Sequence, residues 1–212
     1  MLRVFCLVFG YVFGLFQTGY LYGRMNHIDI RNYGSGNSGT TNALRVLGKK
    51  AGLIVFIGDF FKMVLACLLV RIFLKGDPNT DLYVLYTGLG VVMGHNFPFY
   101  LGFKGGKGIA SMAGLLVSMD WRVTLVCAAV FLGTVIITRY VSLGSIFVVI
   151  LFFIQMVLYE SMGAYQVAPG SRLEFYALAG VLTGMAIWRH RANIRRLFAG
   201  TENKLWGNKK KS

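Results

Sequence analysis

The chain has 212 residues, of which 56% are hydrophobic and only 14% charged, yet its formal net charge is +14. Soluble domains carry roughly 25% charged residues, so this composition excludes an ordinary soluble domain and reads as a polytopic membrane protein. The excess of cations then belongs to cytoplasmic loops or to a site for anions; no recognition helix or stacking platform supports nucleic-acid binding.

Taken in chain order, apolar stretches predict membrane spans at about 2–22, 51–74, 82–101, 108–119, 123–138, 143–159 and 174–188. The first has little basic n-region and no A-x-A cleavage site, so it reads as a retained span rather than a signal peptide. The fourth, 108–119, is short, and its length does not decide whether it crosses the bilayer fully. The expected fold is all-α: an integral membrane bundle of about seven transmembrane helices forming a single domain over 1–212. Cys6, Cys67 and Cys127 all lie inside apolar stretches and form no CxxC or CxxH pattern. They read as packing residues, not as a metal site or a disulfide framework.

The basic residues orient the bundle. Arg24, Arg31, Arg45, Lys49, Lys50, Lys104, Lys107 and Arg139 fall on one side together with the C-terminal Arg189, Arg191, Arg195, Arg196, Lys204, Lys209, Lys210 and Lys211. The other side receives Arg3, Lys75, Arg122 and Arg172, with the acids Asp77, Asp81, Asp120, Glu160 and Glu174. By the positive-inside rule the N-terminus is outside and the C-terminus cytoplasmic.

Four polar segments fall on that cytoplasmic side. GSGNSGTTN, residues 34–42, combines Gly34, Gly36 and Gly39 with Ser35, Asn37, Thr40, Thr41 and Asn42, and Arg45 follows. Glycines let backbone N–H groups approach an anion, and an arginine forks onto phosphate. GHNFPFYLGFKGGKGIAS, residues 94–111, frames Gly105 and Gly106 between Lys104 and Lys107, with Gly108 directly before an apolar stretch. Glycines at a helix N-terminus make an anion site. The GxxxxGK[ST] spacing fails, which argues for phosphate without a nucleotide–metal complex. TRYVSLGS, residues 138–145, contributes Arg139, Ser142 and Ser145; WRHRANIRRLFAGTENK, residues 188–204, places His190, Asn193 and Arg196 at successive i,i+3 positions of one helix face. Each segment alone reads as an ordinary turn or topology signal. Their convergence on one face favours a phosphate site.

Asp59 and Lys62 lie three residues apart within the second span, where charges require a partner or a polar cavity. An internal ion pair bracing the site is the expected role. His27 reads as an ordinary hydrogen-bonding histidine, and His95 as either structural or part of the site.

GSGNSGTTNALRVLGKKAG, GHNFPFYLGFKGGKGIAS and HRANIRRLFAGTENK resemble, in order and spacing, the three cytoplasmic motifs of the bacterial acyl-phosphate:glycerol-3-phosphate acyltransferases, the PlsY family. The resemblance covers nearly the whole chain. It departs at Ser38, where the family often has Pro, at Thr40, where it often has Ala, and at Met63, which replaces the glycine of the usual Asp-x-x-Lys-Gly. The resemblance implies transfer of a fatty acyl group from acyl phosphate to the sn-1 hydroxyl of glycerol 3-phosphate. The products are lysophosphatidic acid and inorganic phosphate, made at the cytoplasmic face of the bacterial inner membrane.

By that resemblance Arg45 and Lys104 clamp phosphate with Ser142 as hydrogen-bond partner, and the backbone of Gly105, Gly106, Lys107 and Gly108 cradles it. Ser35 and Asn42 donate to phosphate or to the developing oxyanion, and the first loop adds Gly36, Asn37 and Gly39. His190 and Asn193 orient the glycerol hydroxyls, Arg196 adds a cation, and Glu202 orders the C-terminal segment or pairs with a cation. The general base is His190 or, as the family reading leans, a phosphate oxygen of the substrate. No metal, organic cofactor or obligate protein partner is implied; the partners are the two substrates and the lipid bilayer. A solute transporter would require inverted repeats, and an acyl-CoA enzyme an HxxxxD motif; neither is visible here.

Overall fold

The computed structural model describes residues 1–206, so Lys209, Lys210 and Lys211 of the expected cytoplasmic tail lie outside the described residues. Among those described the fold is all-helical, without a strand. The long helices are α1 (Leu2–Gly14), α4 (Lys49–Phe73), α5 (Thr80–Asn96), α6 (Ile109–Met119), α7 (Trp121–Thr138), α8 (Val141–Ser161) and α9 (Arg172–Arg189). Three short helices, α2 (Thr18–Met25), α3 (Thr40–Leu47) and α10 (Arg191–Phe198), sit between or after them.

Six of the seven expected stretches overlap one α-helix each, and the first overlaps two, α1 and α2. Four helical stretches, Leu2–Met25, Lys49–Phe73, Trp121–Thr138 and Val141–Ser161, are long and apolar enough to cross a membrane. Their outward faces carry large apolar side chains, among them Val8, Leu53, Leu68, Leu125, Ile136 and Ile154, as lipid contact requires. α5 differs in kind. Nearly all of its residues are buried, from Thr80 to Asn96, because it runs through the middle of the bundle and not along the lipid.

Glycines explain how α1 comes so close to α5. Gly10 and Gly14 face Gly90 and Gly94, two small-xxx-small pairs. A Cβ at Gly10 would lie 2.1 Å from Thr87 O, and one at Gly94 would lie 2.2 Å from Tyr11 O. The backbones touch, and no larger residue fits.

The first span is not one continuous helix as expected; it breaks between α1 and α2. Gln17 fills the break, 1% exposed, with its Nε2 donating to Gly14 O (3.2 Å), Gly94 O (3.3 Å) and His95 O (3.0 Å). Its Oε1 accepts from Ser38 Oγ at 3.3 Å. One amide thus satisfies carbonyls freed at two helix ends, the condition for breaking a helix inside a membrane.

At one end of the bundle, acids and arginines pair across helix termini: Arg3–Glu174 (2.5 Å), Arg71–Asp81 (2.7 Å), Arg122–Asp120 (2.6 Å) and Arg172–Glu160 (3.0 Å). The glycine-rich and basic motifs gather at the other end.

Candidate active site

The first motif forms a loop held from within. Asn42 Nδ2 donates to Ile30 O (3.1 Å), Tyr33 O (3.0 Å) and Asn37 O (2.8 Å), and its Oδ1 accepts from Ser35 N (2.8 Å). Its amide is fully engaged by the backbone. Asn42, expected as a donor to substrate, therefore shapes the loop. Asn37 Oδ1 takes the Gly39 N–H at 3.0 Å, and Gly39 caps α3. The first-turn N–H groups of Thr40 and Thr41 are left without helical partners, and the Thr40 hydroxyl is buried with no hydrogen-bond partner.

The second motif turns back over the end of α5. Gly105 N donates to Asn96 O and Gly106 N to His95 O, each at 3.1 Å, while Arg189 Nη2 donates to Gly105 O (2.9 Å) and Gly106 O (2.6 Å). Those two amides cap α5, so they are not free to cradle an anion as the sequence implied. No side chain fits there: a Cβ on Gly106 would sit 2.0 Å from His95 Nε2. The double glycine instead delivers Lys107 and Gly108, the left-handed N-cap of α6 (φ 78°), to the site.

The third motif brings His190, Asn193, Arg196 and Glu202 together with Ser142 of α8. Glu202 is 7% exposed, and its Oε1 accepts from Ser142 Oγ (2.9 Å) and Asn193 Nδ2 (2.7 Å). Its Oε2 accepts from Arg196 Nε at 2.7 Å. Burial works against its charge, but the donors Asn193, Arg196 and Ser142 outweigh burial and lower its pKa. Asn193 Oδ1 in turn accepts from Lys107 Nζ. Burial also depresses Lys107, with Arg196, Arg189 and Arg45 adding to the effect and Glu202 opposing it, to about 8. His190 Nδ1 meets Ala186 O at 2.8 Å; a carbonyl only accepts, so this nitrogen carries the proton and Nε2 keeps a lone pair. Burial first, then Lys107, pushes His190 down to about 4, leaving it neutral at pH 7 and weaker as a base than its residue type implied.

These elements enclose a cavity of about 280 Å³. Ser35, Asn37, Gly39, Asn42, Arg45, Lys107, Gly108, Ser142, His190, Asn193, Arg196 and Glu202 all line it. Helices α3 and α6 both present their N-termini to it, where free N–H groups and the macrodipole favour an anion. Phe56, Ile109, Phe131, Val135 and Val141, from α4, α6, α7 and α8, add apolar side chains to its lining. Lys104 is elsewhere. It is exposed and lines a neighbouring open cleft with Gly36, Gly105, Arg31 and Arg189, and Asn37 belongs to both hollows. Gly106 lines neither.

The expected ion pair is present beneath the cavity: Lys62 Nζ lies 2.7 Å from Asp59 Oδ1, and both residues are buried. Asp59 and His95 reach the cavity wall themselves. Gln17 and the apolar lining residues Phe131 and Val135 escaped the sequence reading. A lone amide inside an apolar stretch was the available signal for Gln17; Phe131 and Val135 carried none.

The family model described as glycerol-3-phosphate acyltransferase matches residues 4–200. A glycerol-3-phosphate acyltransferase of Clostridioides difficile (strain 630) is 40% identical over 205 residues, covering 96% of this chain and 95% of its own length. One from Thermoanaerobacter sp. (strain X514) is 37% identical over 206 residues, covering 97% and 96%. The crystal structure of PlsY (YgiH), an integral membrane glycerol 3-phosphate acyltransferase, in its glycerol 3-phosphate form superposes with a TM-score of 0.83 at 35% identity, covering 97% of this chain and 96% of that one. Its lysophosphatidic acid form gives 0.79 at 34% identity, covering 95% and 94%. The chain is an integral membrane protein and belongs to the glycerol-3-phosphate acyltransferase family.

Proposed function

We propose that this protein transfers a fatty acyl group from acyl phosphate to the sn-1 hydroxyl of glycerol 3-phosphate, releasing lysophosphatidic acid and inorganic phosphate. It acts as one seven-span domain of the bacterial cytoplasmic membrane, N-terminus outside, with the cavity open to the cytoplasm. The charge asymmetry of the loops supports this orientation. One observation supports the chemistry: the cations Lys107, Arg45 and Arg196 and two helix N-termini line the same cavity as apolar side chains of α4, α6, α7 and α8. A phosphate and a fatty chain are the two ends of an acyl phosphate.

The mixed anhydride has a good leaving group, so positioning and charge stabilisation are the remaining tasks. Lys107, Arg45 and Arg196 neutralise phosphate, and Ser35 and the α3 and α6 N–H groups donate to it. The lone pair of His190 Nε2 accepts from the second glycerol hydroxyl, aided by Asn193, and so orients the attacking one. The hydroxyl oxygen bonds to the acyl carbon, the carbon–oxygen bond to phosphate breaks, and the hydroxyl proton goes to the departing phosphate. With His190 down at about 4, a phosphate oxygen, whose second pKa is about 6 in a monoester, is the better acceptor. Lys104, in the outer cleft, steers anions toward the mouth.

The test is product formation by protein purified in detergent or lipid. Glycerol 3-phosphate is supplied with palmitoyl phosphate in one arm and palmitoyl-CoA in the other. Lysophosphatidic acid from the acyl-phosphate arm alone, lost in Lys107→Ala and Arg45→Ala, is the expected result. Product from palmitoyl-CoA, or from neither donor, would overturn the reading.

A further inference from the structure

Beneath the cavity, Lys62 makes three short contacts: Nζ to Asp59 Oδ1 at 2.7 Å, to Phe16 O at 2.7 Å, and to His95 Nδ1 at 2.9 Å. An ammonium group has three protons and no lone pair. The Phe16 carbonyl and the Asp59 carboxylate only accept, and each takes one proton. The third goes to His95 Nδ1, which must therefore hold a lone pair. His95 is thus the neutral imidazole with its proton on Nε2.

The ring has no freedom to change this. The His95 side chain is 3% exposed and that of Asp59 1%; Thr18 Oγ1 also holds Asp59 Oδ1 at 3.1 Å. Gly106 lies against His95 Nε2 and leaves room for no side chain between them. Yet His95 lines the cavity, and its Nε2–H has no hydrogen-bond partner among the described residues. Burying an ammonium, a carboxylate and an imidazole together costs desolvation that an apolar cluster of the same volume would avoid. The cluster leaves one oriented N–H donor at the cavity wall.

We propose that His95 is a further catalytic residue, donating from Nε2 to the acyl donor's carbonyl oxygen as that oxygen gains negative charge. Lys62 and Asp59 are positioning residues that hold the required tautomer. The proposal rests on the acyl-transfer reading. Phosphate already has three cations and two helix N-termini, whereas the carbonyl oxygen has no other assigned donor from the bundle interior. A neutral donor suits charge that appears only in the transition state, because it binds the uncharged carbonyl weakly and the oxyanion strongly. Its place also fits. His95 lines the cavity together with the apolar Phe56 and the polar Asp59. The two cavity histidines are then complementary: His190 offers a lone pair to the second glycerol hydroxyl, and His95 offers a proton donor to the carbonyl.

With three histidines in the chain, the tautomers are directly readable by ¹⁵N NMR of histidine-labelled protein in lipid, assigned through single His→Gln variants. At pH 7 His95 is expected protonated on Nε2 and bare on Nδ1, and His190 the reverse. A His95 protonated on Nδ1, or on both nitrogens, would overturn the proposal. In Lys62→Met the Nε2–H signature should give way to an Nδ1–H facing Asp59.

Kinetics supply the second reading. His95→Phe keeps the ring volume without the N–H and should lower kcat by about 10²–10³-fold, the range for one lost oxyanion donor, with KM for glycerol 3-phosphate changed less than about threefold. His95→Gln places an amide N–H near Nε2 and should recover most of that loss. An unimpaired His95→Phe, or a Gln variant as slow as the Phe variant, means that the ring only packs. An inactive wild-type protein in the acyl-phosphate assay is a different failure, that of the acyl-transfer reading itself.

Discussion

Lys107 and Asn193 are joined across the cavity, the lysine Nζ donating to Asn193 Oδ1 while Asn193 Nδ2 donates to Glu202 Oε1 at 2.7 Å. One amide reads a cation on one side and an anion on the other, and so fixes α10 against the loop before α6. Asn193→Ala removes both bonds and leaves the half-buried Lys107 and the buried Glu202 each short of a partner. At about 1.5–3 kcal/mol for a hydrogen bond to a charged group, kcat/KM should fall by roughly 10–150-fold. Asn193→Asp should be worse, since it sets a second carboxylate against Glu202. Steady-state kinetics on the two variants check the order.

Lys107, at about 8 in the free protein, loses its charge earlier than an ordinary lysine. Anion binding depends on the protonated form, so kcat/KM for glycerol 3-phosphate should decline as pH rises through about 8. Lys107→Arg keeps its charge across that range and should abolish the alkaline limb. An unchanged limb in the arginine variant would assign it to another group.

His190 governs the acid side. Its folded-state value of about 4 lies below the ordinary 6.5, so the unfolded chain binds a proton that the folded protein refuses. The stabilisation from this residue is complete above about pH 6.5 and is lost as pH falls toward 4. His190→Gln should flatten that part of the stability–pH curve, measured by thermal unfolding in detergent between pH 4 and 7.

Gly106 and Gly133 form a matched pair of glycines. A Cβ at Gly106 meets the His95 ring at 2.0 Å, whereas one at Gly133, on α7, meets nothing within 4 Å. Gly106→Ala should destabilise by about 1–3 kcal/mol through overpacking and lower activity by displacing His95. Gly133→Ala should be neutral or stabilising by up to about 1 kcal/mol, from helix propensity. Melting temperatures and acyl transfer distinguish them.

Gln17→Leu preserves volume but leaves the carbonyls of Gly14 and Gly94 without that donor, while His95 O keeps the Gly106 N–H. Unpaired buried polar groups cost about 1–3 kcal/mol, so the variant should unfold earlier. Arg3→Ala, which breaks a pair whose arginine side chain is 42% exposed, should change stability by less than about 1 kcal/mol.

The helical segments, the three motifs and their shared face were legible because each rests on local chemistry. Apolar length marks helices, glycine and polar runs mark their interruptions, and the i,i+3 spacing puts His190, Asn193 and Arg196 on one face. The Asp59–Lys62 pair was legible for the same reason, three residues apart on α4. Gln17 was less so: its carbonyl partners come from α1 and α5, and only the break in α1 reveals why an amide belongs there.

The roles within the motifs needed the packed bundle. Two lysines of FKGGK look equivalent in the chain, but Gly105 and Gly106 must cap α5, and that turn sends Lys107 into the cavity while Lys104 faces the outer cleft. Asn42 looks like a substrate donor until its four backbone partners are seen, and the protonated nitrogen of His95 is decided by Lys62 from another helix. The sequence by itself determined a membrane bundle with one face rich in glycine, polar and basic residues, since hydropathy, charge and glycine spacing are properties of neighbouring residues. Tertiary structure alone decided which donors stay free, because a hydrogen bond is committed only when its partner, distant in the chain, arrives within about 3 Å.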